Sequence, residues 1–316
     1  MIKKSHIFIF LILINTLSIF SQNLSKPNAW KKYKSELIIN VGVSGFLGDL
    51  GGRNQMGKDF SPVDLELAAT RPAISLAYRY KLNKNINIHS SFNYLSLSGD
   101  DKLTTDIYRN NRNLNFKSNI FELSARFEFG ISSIKRLGVY SLKKSLAHTN
   151  KSRSYELIGF IGVGAFYFNP KGKDPSTGKY VALQPLHTEG QGLAGGPKQY
   201  KRVAISLPVG IAFHAILNKF WSVGLEFSYR KTFTDYIDDV STNYYNNSLI
   251  KDSYGATSAS LADPSKGDIP GASSPNADGT GAQRGDKEKD SFMSLQLTVG
   301  RFLIQKRGRT KLRSKF

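Results

Sequence analysis

The chain has 316 residues, with 44 lysines and arginines against 24 acidic residues, a formal charge of +20 and no cysteine. Without cysteine, disulfides, thiolate metal sites, cysteine nucleophiles and N-terminal lipidation are excluded. Mean hydropathy is slightly negative, at -0.31. Beyond Phe20 no unbroken apolar run approaches the ~20 residues of a membrane helix, which excludes a helical bundle but leaves a membrane β-barrel open, since its strands need only about 10 residues with alternate ones apolar.

Met1, Lys3 and Lys4 lead into an apolar stretch from Ile7 to Phe20 and the small Ser21. That is the layout of a secretory signal peptide, too short to stay as an anchor, so residues 1–21 are expected to be removed. Residues 22–34 then form a basic periplasmic segment with Lys26, Lys31, Lys32 and Lys34.

Strand alternation follows. Leu37, Ile39, Val41 and Val43 share one face, with Glu36, Asn40, Gly42 and Ser44 on the other. Ile74, Leu76, Tyr78 and Tyr80 oppose Ala73, Ser75, Ala77 and Arg79. Ile86, Ile88, Phe92 and Tyr94 alternate with His89, Ser91 and Asn93; Phe121, Leu123, Ala125, Phe127 and Phe129 alternate with Glu122, Ser124, Arg126 and Glu128. A fifth run, Tyr155 to Phe168, is apolar on both faces, so its facing stays open. The sixth runs from Val203 to His214, the seventh from Trp221 to Arg230 and the last from Met293 to Val299, each alternating again. The expected fold is therefore all-β, an eight-stranded antiparallel up-and-down transmembrane barrel over residues 35–304.

Short connections, Lys81 to Asn85 and Leu217 to Phe220, belong on the periplasmic side and the long ones outside. The fourth connection, Gly130 to Ser154, is then a long periplasmic exception, and the last loop, Lys231 to Asp290, is a long outer one. From Gly255 onward that loop is a tract of Gly, Ser, Pro, Ala and Asp, unable to bury a core of its own and expected to be mobile. Aromatic residues fall into two girdles: Tyr78, Tyr80, Phe127, Phe129, Tyr155, Phe213 and Trp221 toward the inner rim, Tyr94, Tyr167 and Tyr229 toward the outer. A soluble sandwich or lipocalin-like barrel would also alternate, but its apolar face would point inward. Here the face opposite the apolar one carries Arg79, Glu122, Arg126, Glu128, Glu226 and Arg230, which suits a charge-paired membrane-barrel lumen better than a small dry core.

The basic charge sits largely on one side. The fourth connection carries Lys135, Arg136, Lys143, Lys144, Lys151 and Arg153 with no acid. The tail 305–316 carries Lys306, Arg307, Arg309, Lys311, Arg313 and Lys315, again with none. An exported barrel has no ordinary access to nucleic acid, so two readings stay open: attraction to anionic head groups of the outer membrane's inner leaflet, or docking of an acidic periplasmic partner. Two acid-free segments on one rim lean toward the partner, with Lys135, Arg136, Lys143, Lys144, Lys306, Arg307, Arg309 and Lys311 as contact candidates.

No catalytic, cofactor or metal motif stands out. Ser91 follows His89 at a same-face spacing that alternating strands produce by chance, and no orienting acid accompanies them. Asp235, Asp238 and Asp239 cluster with Thr232 and Thr234 but lack the spacing and turn glycine of a calcium loop.

Two segments are too specific to be filler: LQPLHTEGQG, Leu183 to Gly192, and YRKTFTDYIDDVST, ending at Thr242. With GFLGDLGG, Gly45 to Gly52, and RPAISLAYRYKLN, Arg71 to Asn83, they make the chain resemble the PorG-like family of outer-membrane barrels from Bacteroidetes. The likeness covers nearly all of the chain after residue 21; the insertion Ser253 to Lys289 and the basic tail fall outside its pattern. It implies a non-enzymatic component of the type IX secretion and gliding machinery, bound to a periplasmic ring of lipoprotein and partner subunits. By that analogy Gln184, Pro185, Thr188, Glu189, Gly190, Arg230, Thr232, Asp235, Asp238 and Asp239 are signature positions. The alternative is a stand-alone surface barrel whose loops bind an extracellular ligand.

Overall fold

The computed structural model describes residues 33–50, 69–136, 153–218, 220–241, 243–272, 282–286 and 288–303. The signal-like segment, Lys143, Lys144, Lys306, Arg307, Arg309 and Lys311 lie outside the described residues.

Ten strands appear among the described residues: β1 Ser35–Leu47, β2 Arg71–Lys81, β3 Ile86–Asp100, β4 Asn115–Arg136, β5 Arg153–Tyr167, β6 Pro170–Lys173, β7 Tyr180–Ala182, β8 Val203–Ile216, β9 Trp221–Thr232 and β10 Ser291–Leu303. Eight of them, all but β6 and β7, pair antiparallel in chain order, and β1 pairs with β10, so the sheet closes as an up-and-down barrel. Closure leaves no edge, which is what lets strands cross a bilayer.

Asparagines set both short turns. Asn83 Oδ1 accepts from the amides of Asn85 and Ile86, each at 2.8 Å. Asn218 Oδ1 does the same for Phe220 and Trp221 at 2.8 and 3.0 Å. Each side chain substitutes for backbone the turn leaves unpaired, which fixes register at that end.

Facing follows the pleat. Leu37, Ile39, Val41, Leu76, Phe92, Leu123, Ile161, Ile205, Leu225 and Leu297 are exposed on the outer wall, while Glu36, Arg79, His89, Glu122, Arg126, Glu128, His214, Glu226 and Arg230 are buried inside. A wall of exposed aliphatic and aromatic side chains around a charged interior inverts the soluble pattern and matches a lipid-facing belt. The open fifth strand resolves with Ile158, Phe160 and Phe166 inward and Ile161, Val163 and Tyr167 outward. Of the outer girdle, Tyr167 is exposed, whereas Tyr229 is covered and donates to Ser291 Oγ at 2.8 Å.

Two expectations need correction. The fourth connection is shorter than Gly130 to Ser154, because β4 and β5 stay paired out to Arg136 and Arg153. A register shift between Gly130 and Ser132 breaks the alternation there, and a bulge hides a strand from a period-two reading. Lys135 and Arg136 are thus strand residues, paired with Ser154 and Arg153.

The tract after Gly255 is in part buried rather than solvated throughout. Besides α1, Ile107–Arg112, the long loops hold α2, Asn247–Tyr254, and α3, Ala256–Ala262. Ser258, Ala259, Leu261, Ala262 and Arg284 are buried. Small residues suffice because they pack against a surface other loops supply, so low hydrophobicity in the tract did not require a solvated chain.

Candidate functional site

The interior has two levels. At the short-turn end charged side chains fill the lumen. Arg79 donates to Glu36 at 2.9 Å and to Glu128 at 2.6 Å. Arg126 bridges Glu128 at 3.2 Å and Glu226 at 2.7 Å. Farther along, Glu122 receives Arg230 at 2.8 Å and the Ser206 hydroxyl at 2.6 Å. Removing one partner of such a pair strands a buried charge, at about 3–5 kcal/mol. His89 lies 3.2 Å from the Arg126 guanidinium and His214 3.3 Å from Glu36. Ser91 hydrogen-bonds with Ser124 and Asn93. Both histidines and this serine are therefore woven into the lumen network.

Toward the long-loop end the interior turns apolar. Phe46, Leu95, Leu97, Phe116, Ile120, Phe166 and Phe292, inward residues of five strands, pack with Leu50, Phe168, Tyr200, Ile237 and Val240 from the loops. Phe46 meets Phe116 edge-on at 4.7 Å and Phe166 meets Phe292 at 5.7 Å. This cluster stoppers the mouth, and burial of its rings stabilises the loops above it.

Over the stopper the two signature segments lock together. Thr188 Oγ1 and Tyr200 Oη both donate to the Asp239 carboxylate, each at 2.5 Å. Glu189 Oε1 accepts from the Ser241 amide at 2.8 Å and from Arg284 at 2.9 Å. Arg284 also donates to the Asp239 carbonyl at 2.6 Å. Gly190 has φ +71°, and a Cβ there would meet the Tyr245 ring at 2.4 Å, so only glycine fits. Asp238 accepts from the amides of Leu50 and Val240 at 3.1 and 3.0 Å, tying in the first loop. Asp235 accepts from the Ser241 hydroxyl at 2.9 Å, and Thr232 donates to the Asp290 carbonyl at 2.7 Å. Gln184 donates to the Tyr200 carbonyl at 3.2 Å, while Pro185 opens the short 3-10 turn Gln184–Leu186.

Nine of the ten signature residues thus belong to this clasp; Arg230 instead lies below it on Glu122. The residues sequence reasoning missed are Asp101, Arg112 and Arg284, and Asp49 entered it only as part of the GFLGDLGG segment with no role. Arg112 donates to Asp101 at 2.8 Å, to the Asp49 carbonyl at 2.7 Å and to the Arg284 carbonyl at 2.5 Å, joining three long loops. Only the closing of the barrel brings them together, so no local spacing marks them.

Burial pushes the clasp carboxyls up. Asp49 rises to about 7 and Asp239 to about 6, the latter held from going farther by Arg284, Thr188 and Tyr200. Asp238 and Asp290 rise well above the usual aspartate range through burial and the charge of neighbouring carboxylates. Among the described residues no group of three or more His, Cys, Asp or Glu is placed to hold a metal ion. The arrangement works as a structural fastening: polar groups removed from water hold four loops over a plugged barrel.

No known protein family matches the chain in sequence, and no curated protein does. Among solved structures, the chain is similar to Ail, the attachment invasion locus protein of Yersinia pestis, at 10% identity and TM-score 0.34, over 85% of this chain and 99% of that one. It is also similar to Neisserial surface protein A at 6% identity and TM-score 0.33, over 85% of this chain and 97% of the other.

Proposed function

We propose that the protein is a non-enzymatic outer-membrane barrel of the type IX secretion and gliding machinery, the PorG-like role its motifs suggest. It acts as a sealed platform that holds a periplasmic ring of lipoprotein and partner subunits. In this reading the short turns and both termini are periplasmic and the clasped loops face outward. The observation that carries it is the junction of Glu189, Ser241 and Arg284. The two resemblance motifs, far apart in the chain, build one fastening above a filled lumen. A barrel closed at the mouth and packed within works through its rims rather than through a pore. The basic inner rim, including Lys135 and Arg136 at the end of β4, is then the docking surface.

Deleting residues 137–152, beyond the paired ends of β4 and β5, tests the reading in membranes. Loss of co-purifying periplasmic subunits with the barrel still inserted supports it; unchanged co-purification contradicts it.

One observation favours the surface-binding alternative: Ile107 and Tyr108 on α1 are 71% and 69% exposed at the loop end. Ile107→Ser with Tyr108→Ser discriminates without disturbing the clasp. Impaired adhesion with secretion intact would favour the alternative.

A further inference from the structure

One sector of the outer wall carries basic side chains just past the aromatic belt. On β4 the exposed apolar positions run outward through Phe127 and Leu123 and end at Phe121, after which come Asn119 and Lys117. Beyond Phe121 the partner of β4 changes from β5 to β6, and Lys117 stands directly opposite Lys171. Paired residues share a face, and β6 exposes Lys171 and Lys173 while burying Pro170 and Gly172. Tyr180 of β7 pairs with Lys173, and the Lys117 ammonium sits 4.3 Å over its ring. Tyr167, paired with Phe121, has the Arg202 guanidinium 5.6 Å over its own ring.

Like charges directly opposed across a strand pair repel, so Lys117 against Lys171 costs stability unless an anion lies between them. Among the described residues none of Lys117, Lys171, Lys173 or Arg202 forms an ion pair. The nearby Asp174 is occupied by its own turn, accepting from Ser176 and Thr177 at 2.8 Å each. Height also fits. Lys117 lies four residues beyond Phe121, about 13 Å along the strand and roughly 10 Å along the membrane normal at the usual tilt. The head-group layer occupies about 5–8 Å beyond the hydrocarbon edge, so lysines at that height reach phosphates with aliphatic stems along the wall.

We infer that Lys117, Lys171, Lys173 and Arg202 hold the phosphate groups of an anionic glycolipid of the outer leaflet against the barrel, with Tyr167 and Tyr180 as its aromatic backing. This rests on the loops-outward orientation proposed above and not on any role in secretion. The bound lipid would brace the β6–β7 hairpin, and with it Leu183, which buries beneath the clasp.

The test titrates the full-length protein, in neutral detergent, with fluorescent phosphorylated lipid A, its dephosphorylated form and phosphatidylglycerol. The variant Lys117→Gln/Lys171→Gln/Lys173→Gln removes exposed charge only and keeps the barrel. A control, Lys102→Gln/Lys198→Gln/Lys251→Gln, removes equal charge elsewhere on the loops. Affinity for phosphorylated lipid A is expected to fall on the order of a hundredfold in the first variant and to hold in the control. Equal binding by both variants, by the dephosphorylated lipid or by phosphatidylglycerol overturns the assignment. Orientation is checked separately. The chain lacks cysteine, so Lys179→Cys can be labelled on intact cells with an impermeant maleimide, and absence of labelling would fault the orientation itself.

Discussion

Arg284 and Glu189 meet at 2.9 Å with both side chains 1% exposed, although 95 residues separate them in the chain. The pair joins a low-complexity tract to a motif in another loop, and it is the pivot of the fastening over the barrel mouth. Arg284→Met leaves Glu189 buried without its cation, at a cost of about 3–5 kcal/mol to the loop assembly. Limited proteolysis should then cut the loops while the barrel keeps its heat-modifiable mobility on gels. Adding Glu189→Gln should recover part of the loss, and full protease resistance in the single variant would contradict the clasp.

Acidity should tighten the same assembly. Asp49 and Asp239 hold their protons to about 7 and about 6, and Asp238 and Asp290 are also raised, whereas the opened chain releases them near 3.8. Between those values the folded loops bind more protons than the open ones, so their stability is fully present below about pH 4 and declines as pH rises through 6 to 7. Amides of Leu50 and Ile237, which donate to Asp238 and Asp290, report this directly. Their hydrogen-exchange protection, corrected for intrinsic rate, should be greater at pH 5 than at pH 8. Asp49→Asn, which keeps an acceptor for the Asp286 amide, should flatten the difference.

Leu297 lies midway along β10, facing outward and 66% exposed. In a bilayer Leu297→Arg places a charge near the midplane, costing about 2–4 kcal/mol of folding free energy. In water the same change on an exposed wall would stay within about 0.5 kcal/mol. Equilibrium unfolding in lipid vesicles separates the two.

Gly210 fits the lumen closely. It pairs with Phe160, whose ring covers it, and the Arg126 guanidinium stacks 4.0 Å above that ring. A Cβ at Gly210 would meet the Phe227 carbonyl oxygen at 2.1 Å and the Phe160 ring at 2.5 Å. Gly210→Ala should destabilise the barrel by about 1–3 kcal/mol through overpacking, read as a lower unfolding temperature. Unchanged melting would mean the backbone there gives way freely.

The barrel was legible because alternation is local. Arg79, Glu122 and Arg126 betrayed the inward face simply by their parity against Tyr78, Phe121 and Phe127. What a period-two reading lost, it lost where the period changes: at the Gly130 and Ser132 bulge, and where β3 runs on past Tyr94 to Leu95 and Leu97, whose apolar inward faces belong to the stopper. The clasp was half visible. Thr188, Glu189, Asp238 and Asp239 stood out as motif residues, but Arg284 sits among Gly, Ala and Gln with no pattern to mark it, and Arg112 ends a single short helix. Their partners lie in other loops, and long-range pairing of that kind leaves no trace in spacing.

The proposed function requires that this sealed barrel work through a periplasmic partner. Affinity isolation of the tagged full-length protein from solubilised outer membrane, with partners identified by mass, measures that most directly. Periplasmic ring subunits, including a lipoprotein, are expected to co-purify in fixed ratio and to be lost when residues 137–152 are deleted. Recovery of the barrel alone, under conditions that keep it folded, would contradict the account.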